Sequence, residues 1–395
     1  MANSILSPTA VTREALRILH QKCNFIGAIN RQYDDSFAKS GAKIGDKLKI
    51  RLPNQYTVRT GAALSAQDTD ESSAGRTVEL QVATQKGVDM NFSSAELSLS
   101  LDDFSKRVLE PAISVLAAAI EADALSMRRE IHQQVNNTGQ AISFAKLLAG
   151  RKRLEDSLCP PGARSALLNT ADNAELIDAL KGLFHDDAGL SKQYREGSMG
   201  RAAGFDFYEN THLTSQPRGA GVNYVVNGAG QTGSSLVVKT GTGALNAGEV
   251  IEIAGVNAVH PETKVDTGVR QQFVVTAPYV GGGGTVQISP AIVVSGAGQN
   301  VTGSPAADAG ITIHGTANTP YGQSLLFHED AFTFATADLV MPNGVDWAAR
   351  EVFDGISMRI VRQYDINADR FPTRLDVMYG FKTLRPQLAC RLANN

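Results

Sequence analysis

Apolar side chains recur at steps of three and four through residues 100–135. Leu109, Ile113, Leu116, Ile120, Ala124, Met127, Ile131 and Val135 fall on one stripe of a helix. Ser100 followed by Asp103 supplies an N-cap and a capping-box-like carboxylate, and Asp102 also suits the positive end of the helix dipole. Pro111 lacks an amide donor, so a kink or a fresh helix start is expected there. From Pro111 to Val135 the helix would run about 37 Å, and Asn136, Asn137 and Gly139 would end it.

Ahead of this helix the period changes from 3.6 to 2. Leu48, Ile50 and Leu52 alternate with polar residues, as do Val78, Leu80 and Val82, and the polar stretch 67–76 (QDTDESSAGR) separates them. Two alternating strands around a polar tip predict a long β-hairpin over 43–92, each limb reaching roughly 30–40 Å. An isolated hairpin of that length is marginal in water, which makes a neighbouring subunit the natural surface for it. Residues 1–40 open with a short amphipathic helix around Ala15, Leu16, Ile18 and Leu19.

Beyond the long helix, 144–158 and 173–184 read as two further amphipathic helices, with a buried strand at Leu167-Leu168 between them. Phe205, Phe207 and Tyr208 surround a turn. Residues 217–320 then change character: nine charged residues in some 104 positions, about half of the 37 glycines, and short strand-like runs separated by Gly, Asn and Thr. Such spacing predicts a small β-barrel or sandwich. Its flanks resemble each other and not it, so it reads as an insertion. The stretch 338–365 reads as a loop, a short helix and a strand, and 375–381 and 387–392 as two more strands. The fold class expected is α+β.

Composition narrows the function by exclusion. A net charge of −3 and a pI near 6.2 lack the basic excess that gripping DNA phosphates in general requires. Cys23, Cys159 and Cys390 are isolated and odd in number, so no disulfide framework or CxxC site is expected, and a reducing cytosol fits. No signal peptide or membrane-length apolar run is present in the sequence. Charge is uneven, however: the first sixty residues carry ten Lys/Arg against four Asp/Glu.

Candidate chemistry does not converge. Gly228, Gly230 and Gly233 match G-x-G-x-x-G, but a strand follows where the dinucleotide fingerprint requires a helix, so a turn is expected. Gly281–Gly284 lacks the lysine of a phosphate loop and reads as a hairpin end. His185-Asp186-Asp187 has no second histidine at ligand spacing, and His132 reads as an exposed or satisfied polar side chain on the long helix. No catalytic constellation, metal set or cofactor fingerprint emerges, and the chain is expected not to be an enzyme.

The order of elements resembles the major capsid (coat) protein of tailed double-stranded-DNA bacteriophages, with the Hong Kong 97-type capsid fold. Residues 4–62, from SILSPTAVTREALRILHQK to LPNQYTVRTGA, look like the start of podophage-type coat proteins, and RAAGFDFYENTHL (201–213) is similar to the turn that family places before its inserted domain. The resemblance implies an N-terminal arm (1–42), an extended loop (43–99), a spine helix (100–137), a peripheral domain (138–200), an axial domain (201–216 and 321–395, with return strands to the peripheral domain) and an inserted β-barrel domain (217–320). It further implies pentamers and hexamers of one chain on an icosahedral lattice enclosing double-stranded DNA without sequence-specific binding. A separate scaffolding protein, a portal at one vertex, virion localisation after assembly in the host cytoplasm, and no membrane partner follow from it too. Candidate assembly residues are Arg13, Arg17, Lys22, Arg31 and Lys39 of the arm, and Lys47, Lys49, Arg51, Arg59, Asp68, Asp70, Glu71 and Arg76 of the loop. The competing readings are a β-rich tail or adhesion protein using 217–320 to hold a surface ligand, and an enzyme with a site between domains. The first leaves the spine helix and hairpin without a purpose, and the second has no residues to work with.

Overall fold

The computed structural model describes residues 11–15, 19, 23–31, 47–64, 77–93, 110–180, 200–353, 356–367 and 370–394. Its elements run α1 (Asn24–Gly27), β1 (Lys47–Arg51), β2 (Thr77–Gln81), β3 (Thr84–Ser93), α2 (Glu110–Leu125), β4 (Gln134–Asn136), α3 (Phe144–Asp156), β5 (Arg164–Leu168) and α4 (Thr170–Leu180). Next come β6 (Arg201–Ala202), β7 (Phe205–Glu209), β8 (Gln216–Pro217), β9 (Val225–Val226), β10 (Gly233–Lys239), β11 (Val250–Val259), β12 (Asp266–Val275), β13 (Gly284–Ile292) and β14 (Ile311–Ile313). The chain closes with β15 (Pro320–Tyr321), β16 (Gln323–His328), β17 (Phe332–Thr336), β18 (Trp347–Phe353), β19 (Ile356–Arg362), β20 (Arg370–Thr383) and β21 (Ala389–Ala393). The class is α+β. Two compact units form, one of 1–50, 77–125 and 332–382, the other of 51–76, 126–331 and 383–395.

In the first unit α2 lies with a five-stranded sheet in which β17, β20, β19 and β18 are neighbours and β3 pairs with β20. The stripe read from the sequence is its buried face: Ile113, Leu116, Ile120 and Ala124 are all at most 2% exposed. The helix itself is shorter than expected. It stops at Leu125, a 3-10 turn follows over Ser126–Glu130, and Val135 lies in a strand. Met127, Ile131 and Val135 are buried all the same, so burial continued the apolar pattern after helical geometry had ended. Residues 100–109 lie outside the described residues.

The hairpin also divides. β1 and β2 form a two-stranded ladder, but β3 runs antiparallel to β20 from Thr84↔Tyr379 to Ser93↔Arg370. The second limb therefore has an intrachain partner from Thr84 onward, which its alternating pattern alone did not reveal. The short helix expected within 338–365 is instead strand β18, paired with β19 through Phe353↔Ile356 across a two-residue connection.

The second unit contains a six-stranded mixed sheet ordered β4-β21-β16-β5-β7-β6. α3 packs on it so closely that a Cβ at Gly150 would meet Leu326 and Leu392. Here β5 shares a sheet with β7 and β6, whereas 332–382 belong to the unit of α2. The aromatic trio at 205–208 is strand β7, entered through left-handed Ala203 and Gly204, rather than the surround of a turn.

Residues 217–320 build a second six-stranded sheet, ordered β14-β11-β12-β13-β10-β9. The sheet closes on itself: Val225 bridges Gly310, and the Ile311 amide donates to the Tyr224 carbonyl at 2.9 Å. Inside are Tyr224, Leu236, Ile251, Ile253, Phe273, Val275, Val286 and Ile288. Gly241 is required here, because a Cβ would fall on the Tyr224 ring. The two ends of the segment meet in the β8–β15 ladder, Gln216↔Tyr321 and Pro217↔Pro320.

Candidate assembly surface and its supporting contacts

The predicted assembly residues differ in how the structure places them. Arg13 is exposed and places Nε 3.4 Å from Glu351. Lys47 pairs with Glu79 at 3.0 Å across the β1–β2 ladder, and its hydrogen bond and charge, with help from Lys49, hold the Glu79 carboxyl below its usual range. Lys49 and Arg51 project from β1 into solvent, and Arg59 donates to the carbonyls of Gly61 and Ala63 within its own loop. Arg31 is half-buried. Arg17, Lys22, Lys39, Asp68, Asp70, Glu71 and Arg76 lie outside the described residues, as does the His185-Asp186-Asp187 run. Among the described ones, Lys47 and Lys49 share an element and a common carboxylate.

Residues 52–64, between β1 and the polar tip, have no regular secondary structure. Tyr56, Val58 and Leu64 there are 58%, 99% and 88% exposed. Large apolar side chains left in water along one segment cost hydrophobic free energy that a partner surface recovers.

The arm is anchored by a contact that no local pattern announces. Glu121, fully buried on α2, accepts the Phe25 amide at 2.7 Å and reaches the Ile26 amide at 3.5 Å, satisfying the open amides of α1. Burial foremost, then the Glu121 charge, pushes the neighbouring Cys23 thiol far above its ordinary value, so it is inert. On the same helix Asp123 accepts Tyr379 Oη at 2.6 Å and pairs with Lys86 at 2.7 Å, joining α2 to β20 and β3.

In the second unit the barrel is fastened to the mixed sheet through β4. β4 pairs with β21 on one side only, and Gln272 of β12 completes the other: its Oε1 accepts the Gln134 amide at 2.8 Å and its Nε2 donates to the Gln134 carbonyl at 3.1 Å. The same Nε2 donates to Glu252 at 2.9 Å. Arg391, 1% exposed on β21, donates to the Gly248 carbonyl at 2.8 Å, and burial lowers its pKa to about 9. His132, expected as an exposed or satisfied polar side chain on the long helix, is neither exposed nor satisfied at Nδ1 among the described residues. It follows the 3-10 turn and is 7% exposed. Burial, then the charges of Arg391 and Arg153, lowers its pKa to about 4, so it is neutral at physiological pH.

The motifs set aside on sequence grounds are turns in the structure. Gly228, Gly230 and Gly233 all have positive φ and lead into β10, not a helix. Among the described residues no three His, Cys, Asp or Glu side chains cluster as a metal set, and no described helix is long and apolar enough to cross a membrane.

Comparison with known proteins supplies what geometry alone does not. The family model described as P22 coat protein, gene protein 5, matches residues 30–391. No curated protein sequence matches the chain. Among solved structures, one of Mycobacterium phage Che8 aligns at 12% identity over 92% of this chain and 89% of that one, with a TM-score of 0.46. The mature capsid of bacteriophage PhiM1 aligns at 9% identity over 88% of this chain and 82% of that one, with a TM-score of 0.41. The I-domain of the CUS-3 coat protein aligns at 31% identity, spanning 24% of this chain and 96% of that one, with a TM-score of 0.20. On the family match across most of its length, the chain belongs to the P22 coat protein family, structural proteins that build a bacteriophage capsid from many copies of one subunit.

Proposed function

We propose that this subunit adopts the Hong Kong 97-type arrangement and assembles, as pentamers and hexamers, into an icosahedral procapsid. A separate scaffolding protein guides the assembly, a portal occupies one vertex, and the shell encloses double-stranded DNA without reading its sequence. The observation that carries the reading is the family match over residues 30–391. Assembly takes place in the host cytoplasm and the product is the virion shell. In this reading α2 belongs to the spine helix and 217–320 is an inserted domain. The exposed Tyr56, Val58 and Leu64 support an intersubunit role for the extended loop.

Many weak contacts repeated around a lattice make such assembly cooperative. The basic arm suits an acidic scaffold surface, held through salt-sensitive contacts. The test is co-expression of the chain with and without candidate scaffolding proteins, read by sedimentation. Uniform procapsids should require the scaffold, and Arg13→Glu with Lys39→Glu should lower their yield and its dependence on salt. Uniform closed shells without any scaffold, at a yield indifferent to salt and to charge reversal, would overturn the scaffold-guided reading.

A further inference from the structure

The described chain carries a cleft of about 540 Å³ between the β11–β12 hairpin end of the barrel and the C-terminal turn of α3, within the second unit. That volume is in the range of small-molecule sites. We propose that this cleft is a phosphate-binding site, taking the phosphate groups of a phosphorylated compound or of a nucleic-acid backbone.

Its walls hold Lys152 and Arg153 of α3 and Lys264 and Arg270 of the barrel, against Asp156 as the one carboxylate among the described residues. In a chain of net charge −3 this is a local reversal of sign. Asp156 is already occupied by Lys152 at 2.6 Å. Lys264 donates only to a neutral carbonyl, that of Gln299, at 3.2 Å. Arg153 and Arg270 form no ion pair among the described residues. The carboxylate beyond the wall, Glu252, is taken up by Gln272 and His314. Lys264 and Arg270 therefore face the cleft without a matching acid, while the charge of Arg153 also acts on Glu252.

The floor makes the second, independent observation. His132 lines the cleft and is 7% exposed, yet its Nδ1 has no partner among the described residues; Gln133 Oε1, also unpartnered there, is an acceptor and would accept a hydrogen bond from water or from a protonated phosphate oxygen. Buried polar atoms without partners cost about 1–3 kcal/mol each, so the site is arranged for a polar occupant rather than an apolar one. The potential is positive even here: the charges of Arg391 and Arg153 act with burial to keep His132 unprotonated. A neutral imidazole can carry its proton on Nδ1 and donate it to an oxyanion.

A phosphate fits this set better than a carboxylate does. It brings up to two charges and three acceptor oxygens to cations that stand on two different walls, and guanidinium groups hold it in bidentate fashion. The inference goes beyond shell building and does not depend on it.

The experiment is calorimetric titration of the purified full-length chain with inorganic pyrophosphate at physiological ionic strength, and in a second arm with a short DNA duplex. The variants are Arg270→Gln and Lys264→Asn, separately and together; Asn tolerates the left-handed backbone at position 264 (φ 59°). Lys239→Gln, an equal charge loss elsewhere on the barrel, is the control. The proposal expects saturable binding of pyrophosphate, one per chain, weakened at least about tenfold by the double variant and unchanged in the control. A duplex response with the same residue dependence would identify backbone phosphate as the source, and a response to pyrophosphate alone a free phosphorylated compound. Absence of saturation, equal weakening by the control, or tighter binding of a synthetic 67–76 peptide than of pyrophosphate would each overturn it.

Discussion

Gln272→Met removes an amide while nearly keeping its volume, and it tests how the barrel is held to the mixed sheet. In the native chain Gln272 closes two hydrogen bonds with the Gln134 backbone, at 2.8 and 3.1 Å, from a side chain 2% exposed. Methionine fills the space and forms neither. Each orphaned buried group costs about 1–3 kcal/mol, and water entering from the side offsets part of that, so we expect a loss of about 3 kcal/mol. This corresponds to roughly a hundredfold or more in the equilibrium between closed and open β4. Hydrogen exchange read on peptides covering 131–138 should show protection at the Gln134 amide fall by about that factor, and the urea midpoint should drop with it. Gln287→Met, on the exposed face of β13, is the control and should change neither. Exchange at Gln134 within threefold of the native rate, with an unmoved midpoint, would refute the claim that this amide fastens the barrel.

Three other outcomes follow from the same structure. His132 titrates near 4 when folded and near 6.5 when unfolded, so its contribution is present above 6.5 and is lost as pH falls through 4; the full difference is at most about 3 kcal/mol. His132→Asn should flatten that part of a stability-against-pH curve, and an unchanged slope would contradict the assignment. Gly380→Ala would drive a methyl group into the Gln81 carbonyl and to 2.9 Å from Val82 Cα, both backbone, so soluble folded yield should fall sharply; normal yield and melting would show that the close approach is not real. Tyr379→Phe should cost about 1–3 kcal/mol in urea unfolding by removing the 2.6 Å bond to Asp123, and Asp123→Asn made on top of it should cost less than it does alone.

What the sequence showed depended on range. The stripe through Ile113, Leu116, Ile120 and Ala124 was legible because a single helix face imposes it, and the barrel strands around Leu236, Phe273 and Val286 were legible from their Gly-punctuated alternation. The end of α2 was not, because Met127, Ile131 and Val135 stay buried after the helix stops and so keep the pattern going. β18 was misread for the opposite reason: Ala and Glu in Trp347–Phe353 carry helix propensity that pairing with β19 overrode. The Glu121 anchor of the arm joins residues about a hundred positions apart, and the Gln272 clamp and the cleft cations join more distant ones still. Nothing in local periodicity marks a buried carboxylate or amide as a long-range cap; only the oddity of a charged residue, Glu121, within the apolar run of α2 hinted at one.

Electron microscopy of the purified chain, co-expressed with its scaffold and alone, tests the central claim most directly. The account predicts closed shells of uniform diameter with the scaffold, and irregular shells, tubes or spirals of the same subunit without it. A monodisperse monomer or trimer under every condition would contradict it.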